Sequence, residues 1–235
     1  MEKRKIMIAG IPAIIWGHES DQVFIAVHGN KSNKEDSIIE LLATLADKKG
    51  YQVISFDLPE HGQRKEEATQ CKVQNCIIEL KNIFNYALKN YRTISLFGCS
   101  LGAYFSLMAY PEIIFKQVIF VSPVVNMLAI LDNMMRWFNI SEEMLKEKQI
   151  ISLPIDETLY YDYYSFVKEH PVSKWKSLTA VLYGENDDTV SFADINDFCH
   201  QFQGQLTVMK DGEHYFHSET QLAFVKEWLD QRIKE

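Results

Sequence analysis

The stretch R-T-I-S-L-F-G-C-S-L-G, residues 92–102, sets an apolar run directly against a serine held between two glycines. Its first part has the β-branched and aromatic content of a buried strand, and the spacing predicts a helix from Ser100 to about Ala109. A serine at such a strand-to-helix crossing is forced into a strained turn that lifts its hydroxyl off the sheet. Gly98 and Gly102 leave room for the crossing. Ser100 is therefore a candidate nucleophile, against the plainer reading of a polar residue at a strand end.

Working outward, the same strand-then-helix rhythm recurs. Strand-like "QVFIAVHG" (22–29) precedes helical "EDSIIELLATLADKKG" (35–50), which stops at Gly50. "YQVISFD" (51–57) precedes "VQNCIIELKNIFNYALKN" (73–90), and "KQVIFVS" (116–122) follows the serine helix. Val-, Ile- and Phe-rich strands separated by helices of ten or more residues imply parallel pairing with right-handed crossovers, an α/β fold. "KIMIAG" and "IPAIIWG", joined at Gly10, suit an antiparallel hairpin at the sheet edge.

The rhythm lapses over 123–176, which holds "LDNMMRWFNISEEMLKEKQ" and the tyrosine-dense "DETLYYDYYSFVKEHPVSKW". It resumes with strand 178–184, helix 192–202, strand 205–211 and a C-terminal helix over 217–235. The division expected is a core of residues 1–122 and 177–235, with a small helical cap inserted at 123–176. That insertion is too apolar and aromatic for a disordered linker.

Composition bounds the function. The chain has 235 residues, 47% of them hydrophobic, enough for one sizeable core. Its net charge of -8 and pI near 5.4 argue against a nucleic-acid or anionic-membrane surface, since phosphates are repelled over most of the molecule. The four cysteines, Cys71, Cys76, Cys99 and Cys199, fall at no zinc-ribbon spacing and read as free thiols in a reducing compartment. The basic then apolar start "MEKRKIMIAGIPAIIWG" imitates a secretory signal. Gly10 and Pro12 interrupt it, no small-x-small site follows, and cutting there would remove two strands. No apolar stretch reaches the roughly 20 residues a membrane span needs, so a cytoplasmic protein is expected.

In open parallel sheets the reactive groups gather beyond the carboxyl ends of the strands. There the sequence offers His28-Gly29-Asn30, Asp57, His61-Gly62, Ser100, Asp187 with Asp188, and His214. A serine hydroxyl needs a histidine to take its proton and a carboxylate to hold that imidazole, and all three groups are present. Asp188 competes with Asp187 for the acid, and His217 with His214 for the base. His28 and His61 read as loop-organising hydrogen-bonders. No HExxH or similar ligand set suggests a metal, and no cofactor is expected.

These residues give the chain, over essentially its whole length, a resemblance to the α/β-hydrolase family, in particular to its small capped serine esterases. The order Ser100, Asp187, His214 is similar to the family's order of nucleophile, acid and histidine. "YGENDDTV" resembles its acid loop and selects Asp187; "DGEHYFH" resembles its histidine loop and selects His214. "DLPEHGQR" resembles the family's Asp-x-x-Gly-His-Gly segment, with Glu60 where a glycine is common. The resemblance implies a mostly parallel eight-stranded sheet flanked by helices. It also implies an oxyanion hole made of the backbone N–H groups of Leu101 and Asn30.

The activity so implied is hydrolysis of carboxylic esters through an acyl-enzyme, with a small-molecule ester as the partner. Thioesters, amides and carbon–carbon bonds are open to the same triad, and a ligand-sensing protein of the same fold is the rival from another class. The cap's Trp137, Phe138, Tyr160 and Tyr164 are candidate pocket residues for an aromatic or medium acyl group. Helix-spaced aromatics of this kind also pack against a parent domain.

Overall fold

The computed structural model describes residues 1–234. An eight-stranded sheet is built from β1 (Lys3–Ile8), β2 (Ile11–Trp16), β3 (Gln22–Val27), β4 (Gln52–Phe56), β5 (Thr93–Cys99), β6 (Val118–Val121), β9 (Thr179–Gly184) and β10 (Gln205–Met209). Their spatial order is β1-β2-β4-β3-β5-β6-β9-β10. The first two strands form the antiparallel hairpin, β2 joins β4 antiparallel, and every later neighbour is parallel.

Both faces of the sheet are covered, and β3 shows why its sequence is apolar throughout. Val23, Ile25 and Val27 point into one core, with residues of α2 (Val73–Asn90), α3 (Leu101–Ala109) and α7 (Phe192–Phe202). Phe24 and Ala26 point into the other, with α1 (Ser37–Lys48) and α8 (Glu219–Arg232). A strand exposed on one face would alternate with polar residues; a doubly covered strand cannot. Helix starts are satisfied locally: Asp36, Ser191 and Ser218 accept N–H groups of α1, α7 and α8. The C-terminal helix ends at Arg232, and Glu235 of its expected range lies outside the described residues.

The segment expected as a small helical cap also holds a hairpin. It holds α4 (Met127–Trp137), α5 (Glu142–Lys148), an antiparallel hairpin of β7 (Ile150–Leu153) and β8 (Glu157–Tyr160), and α6 (Tyr161–Glu169). "IISL" alternates in burial, while "ETLY" buries Leu159 alone, so the two short strands carry little period-two signal. The segment is tied to the core at Lys72, whose ammonium lies 2.9 Å from the Asp162 carboxylate and 4.1 Å above the Tyr160 ring. Among the described residues no helix is long and apolar enough to cross a membrane.

Candidate active site

Ser100 stands where β5 hands over to α3, at φ 48° and ψ -116°, a conformation that costs a non-glycine residue about 1–3 kcal/mol. Close packing holds it there. A Cβ at Gly98 would lie 2.8 Å from the Ala103 Cα, and one at Gly102 would lie 2.4 Å from the carbonyl oxygens of Val27 and His28. The crossing therefore admits glycine alone at both positions, and the hydroxyl is projected beyond the sheet.

The Ser100 Oγ lies 2.8 Å from His214 Nε2, and His214 Nδ1 lies 2.7 Å from Asp187 Oδ2. The Asp187 side chain is fully buried and His214 is 16% exposed. The second Asp187 oxygen accepts the backbone N–H groups of Thr189 (2.9 Å) and Val190 (2.8 Å). A carboxylate so engaged imposes one orientation on the imidazole, with the proton on Nδ1 and Nε2 free to accept from serine. Asp188 instead faces the Thr189 hydroxyl at the surface. His217 contacts Glu213 and the Tyr215 carbonyl, away from Ser100.

The acid and histidine loops are joined to each other. Glu185 donates its N–H to the Met209 carbonyl, Asn186 to that of Gly212, and Asp211 to the Glu185 carboxylate. The geometry of acid to base is thus set by backbone contacts between two adjacent loops.

Opposite them, the loop after β3 carries Asn30, and three contacts from the loop after β4 hold it. His28 Nε2 accepts the Leu58 N–H while its Nδ1 lies 2.7 Å from the Gly29 carbonyl. His61 Nε2 accepts the Lys31 N–H, 3.1 Å away. Lys34 and Asp57 form a buried ion pair at 2.5 Å, and Asp57 also accepts the N–H groups of Lys34 and Gln63. Burial pushes the His28 imidazole down to about 4, so it is neutral and can accept. The Asn30 and Leu101 N–H groups have no acceptor among the described residues, and both residues line the cleft beside Ser100.

That cleft encloses about 900 Å³. Its apolar wall is Val124, Met127, Ile130, Leu131, Met134 and Leu159, with Tyr160 and Tyr163. Of the four expected pocket aromatics, Tyr160 alone lines it. Trp137 is 66% exposed at the end of α4, Phe138 packs against the core, and Tyr164 is buried with its hydroxyl on Asp132. The methionines and Ile130 were the residues missed. Their three- and four-residue spacing on α4 is the pattern of any helix that buries a face, so it does not say that the face borders a cavity. Among the described residues no group of three or more His, Cys, Asp or Glu side chains is placed to hold a metal ion.

No family model and no curated protein matches the chain. Solved structures do. Est1E from Butyrivibrio proteoclasticus with ferulic acid bound is 19% identical, covers 97% of this chain and 98% of its own, and superposes with a TM-score of 0.73. Alpha/beta hydrolase domain-containing protein 10 from mouse is 15% identical, with 98% of each chain covered and a TM-score of 0.75. The esterase Pf2001 from Pyrococcus furiosus is 20% identical, covering 98% of this chain and 90% of its own at a TM-score of 0.68. The likeness is one of fold.

Proposed function

From the premise that the chain has the α/β-hydrolase fold, we propose that it is a serine hydrolase cleaving carboxylic esters of small to medium lipophilic or aromatic acyl groups. The observation that carries the reading is the continuous contact from Ser100 Oγ through His214 to the buried Asp187 carboxylate. His214 Nε2 takes the hydroxyl proton as Ser100 attacks the ester carbonyl. The oxyanion that forms accepts the Asn30 and Leu101 N–H groups. His214 then returns the proton to the departing alcohol, leaving an acyl-enzyme. Water, deprotonated by the same imidazole, releases the acid.

The substrate class rests on the cleft. Its volume and its thioether and aliphatic wall suit a medium acyl chain or an aromatic ring, and Est1E, a neighbour in fold, holds an aromatic acid. Four free cysteines accord with a cytoplasmic setting. The test is a panel of esters graded in acyl length and including aromatic acids, hydrolysed by wild type and Ser100→Ala side by side. Turnover that disappears in the variant and peaks at medium or aromatic acyl groups is expected. Equal turnover in the two proteins would refute the nucleophile.

A further inference from the structure

The loop that carries Asn30 is held from the cap as well as from the core. Lys31, the residue after Asn30, has φ 56°, in the left-handed region that a residue with a side chain rarely adopts. Both residues are exposed, so burial in the core does not impose that turn. Contacts impose it instead. From the core side, His61 Nε2 accepts the Lys31 N–H. From the cap side, Asn30 Nδ2 donates to Glu157 Oε1 at 2.9 Å, and Lys31 Nζ donates to the Ile155 carbonyl at 3.2 Å. The Lys31 ammonium also lies 3.5 Å from the same Glu157 oxygen. Hydrogen bonds onto an ionised carboxylate are among the stronger ones.

The hairpin is shaped to present that carboxylate. Strands β7 and β8 pair Leu153 with Glu157, and residues 154–156 join them, with Asp156 in the left-handed conformation (φ 59°) that closes a short hairpin loop. Glu157 and Leu159 lie two apart on β8 and so share a face, and both line the cleft. One strand thereby sets an apolar side chain against the space for the acyl group and a carboxylate against the loop of the expected oxyanion donor.

We propose that Glu157 is a positioning residue for the oxyanion hole. Reaching from the cap to a partner 127 positions away in the chain, it fixes the Asn30 side chain and with it the direction of the Asn30 backbone N–H. The inference rests on the ester-hydrolysis reading and adds to it a residue that acts through Asn30. An N–H aimed at the oxyanion stabilises the transition state more than the bound ester, so loss of the clasp lowers kcat and spares KM. Glu157 thus stands apart from the rest of the cap side, whose apolar side chains bear on the choice of acyl group.

The experiment compares Glu157→Ala and Glu157→Gln with wild type on p-nitrophenyl acetate and p-nitrophenyl hexanoate, and follows backbone amide exchange over residues 29–33 in the same proteins. In Glu157→Ala, kcat should fall about 10-fold on both esters with KM within about twofold. The Lys31 amide should exchange at least ~10-fold faster there, because its loop opens more often. Glu157→Gln keeps an oxygen that accepts from Asn30, so its kcat should stay within about threefold of wild type and its exchange should be slow. Asn30→Ala should lose about as much rate as Glu157→Ala, and the double variant no more than either alone.

Wild-type kcat in Glu157→Ala would overturn the proposal, as would unchanged exchange at Lys31. A loss that falls on KM, or on the hexanoate alone, would overturn it too, since that is the mark of a loosened acyl wall. Failure of the ester-hydrolysis reading looks different: wild type turns over neither ester, or Ser100→Ala still does, and the oxyanion role of Asn30 falls with it. Amide exchange reads the clasp itself in either case.

Discussion

The cleft has two sides built by different interactions. On the core side, the groups proposed to react sit beyond strand ends and are held by backbone hydrogen bonds, an ion pair buried on both partners, and crossings too tight for any Cβ. On the cap side, the wall is methionine, isoleucine and leucine side chains on α4, the residues of β8 and Tyr163 of α6. Its ion pairs include Lys168 with Glu142, exposed on both partners and joining α6 to α5, and Lys72 with Asp162, exposed at the carboxylate. Exposed pairs of this kind contribute roughly 0–1 kcal/mol, and unbranched methionine side chains repack readily. In the proposed function, chemistry falls where geometry is fixed, and selectivity where it can adjust.

If that contrast holds, substitutions on the core side abolish function or stability, while those on the cap side change which substrate is preferred. The largest effect is expected for Ser100→Ala, which should lower kcat by about 10⁴-fold or more while leaving the thermal midpoint unchanged. Asp187→Asn should cost about 10³-fold or more, because the amide no longer fixes the imidazole tautomer, whereas Asp188→Asn should stay within about twofold. The opposite ranking would reassign the acid.

Stability distinguishes the two sides as well. Asp57→Ala leaves the Lys34 ammonium buried without its partner and should destabilise the fold by about 3–5 kcal/mol in urea unfolding. His28 gives the core side a pH dependence. Its folded-state pKa, about 4, lies below the ordinary 6.5, so the unfolded chain binds the proton more readily between those values. The contribution is fully present above pH 6.5 and is lost as pH falls toward 4. It amounts to about 3 kcal/mol, and unfolding of a His28→Asn variant should vary less with pH over that window.

The smallest effects belong to the cap. Met134→Ala should raise KM for longer acyl groups by about 5- to 10-fold, with kcat for short ones within twofold. Trp137→Ala, at an exposed site away from the cleft, should change stability by less than about 0.5 kcal/mol and leave the acyl preference alone. A shift of acyl preference in Trp137→Ala, with none in Met134→Ala, would reverse the assignment of the cleft wall.

The same contrast explains what could be read from the sequence. Strand ends and the glycines about Ser100 are local patterns, and the resemblance of the acid and histidine loops to those of the α/β-hydrolases singled out Asp187 and His214. The sheet and the meeting of those three groups were therefore legible. The side of a cap helix that borders a cavity is decided by the whole chain's packing. The aromatic content of the cap pointed to Trp137, Phe138 and Tyr164, whereas packing put Met127, Met134 and Ile130 against the cleft. The hairpin of β7 and β8 escaped notice because two four-residue strands carry too few alternations to stand out. The Lys34–Asp57 pair joins two loops 23 residues apart in the chain, and no local pattern announces it.

The central claim is that Ser100 is an activated nucleophile. Treating the protein with a serine-directed phosphonate and mapping the adduct by mass tests it without choosing a substrate. The account predicts one adduct, on Ser100, absent in Ser100→Ala and formed far more slowly in His214→Ala. A protein that stays unlabelled, or that carries its label on another residue, would contradict it.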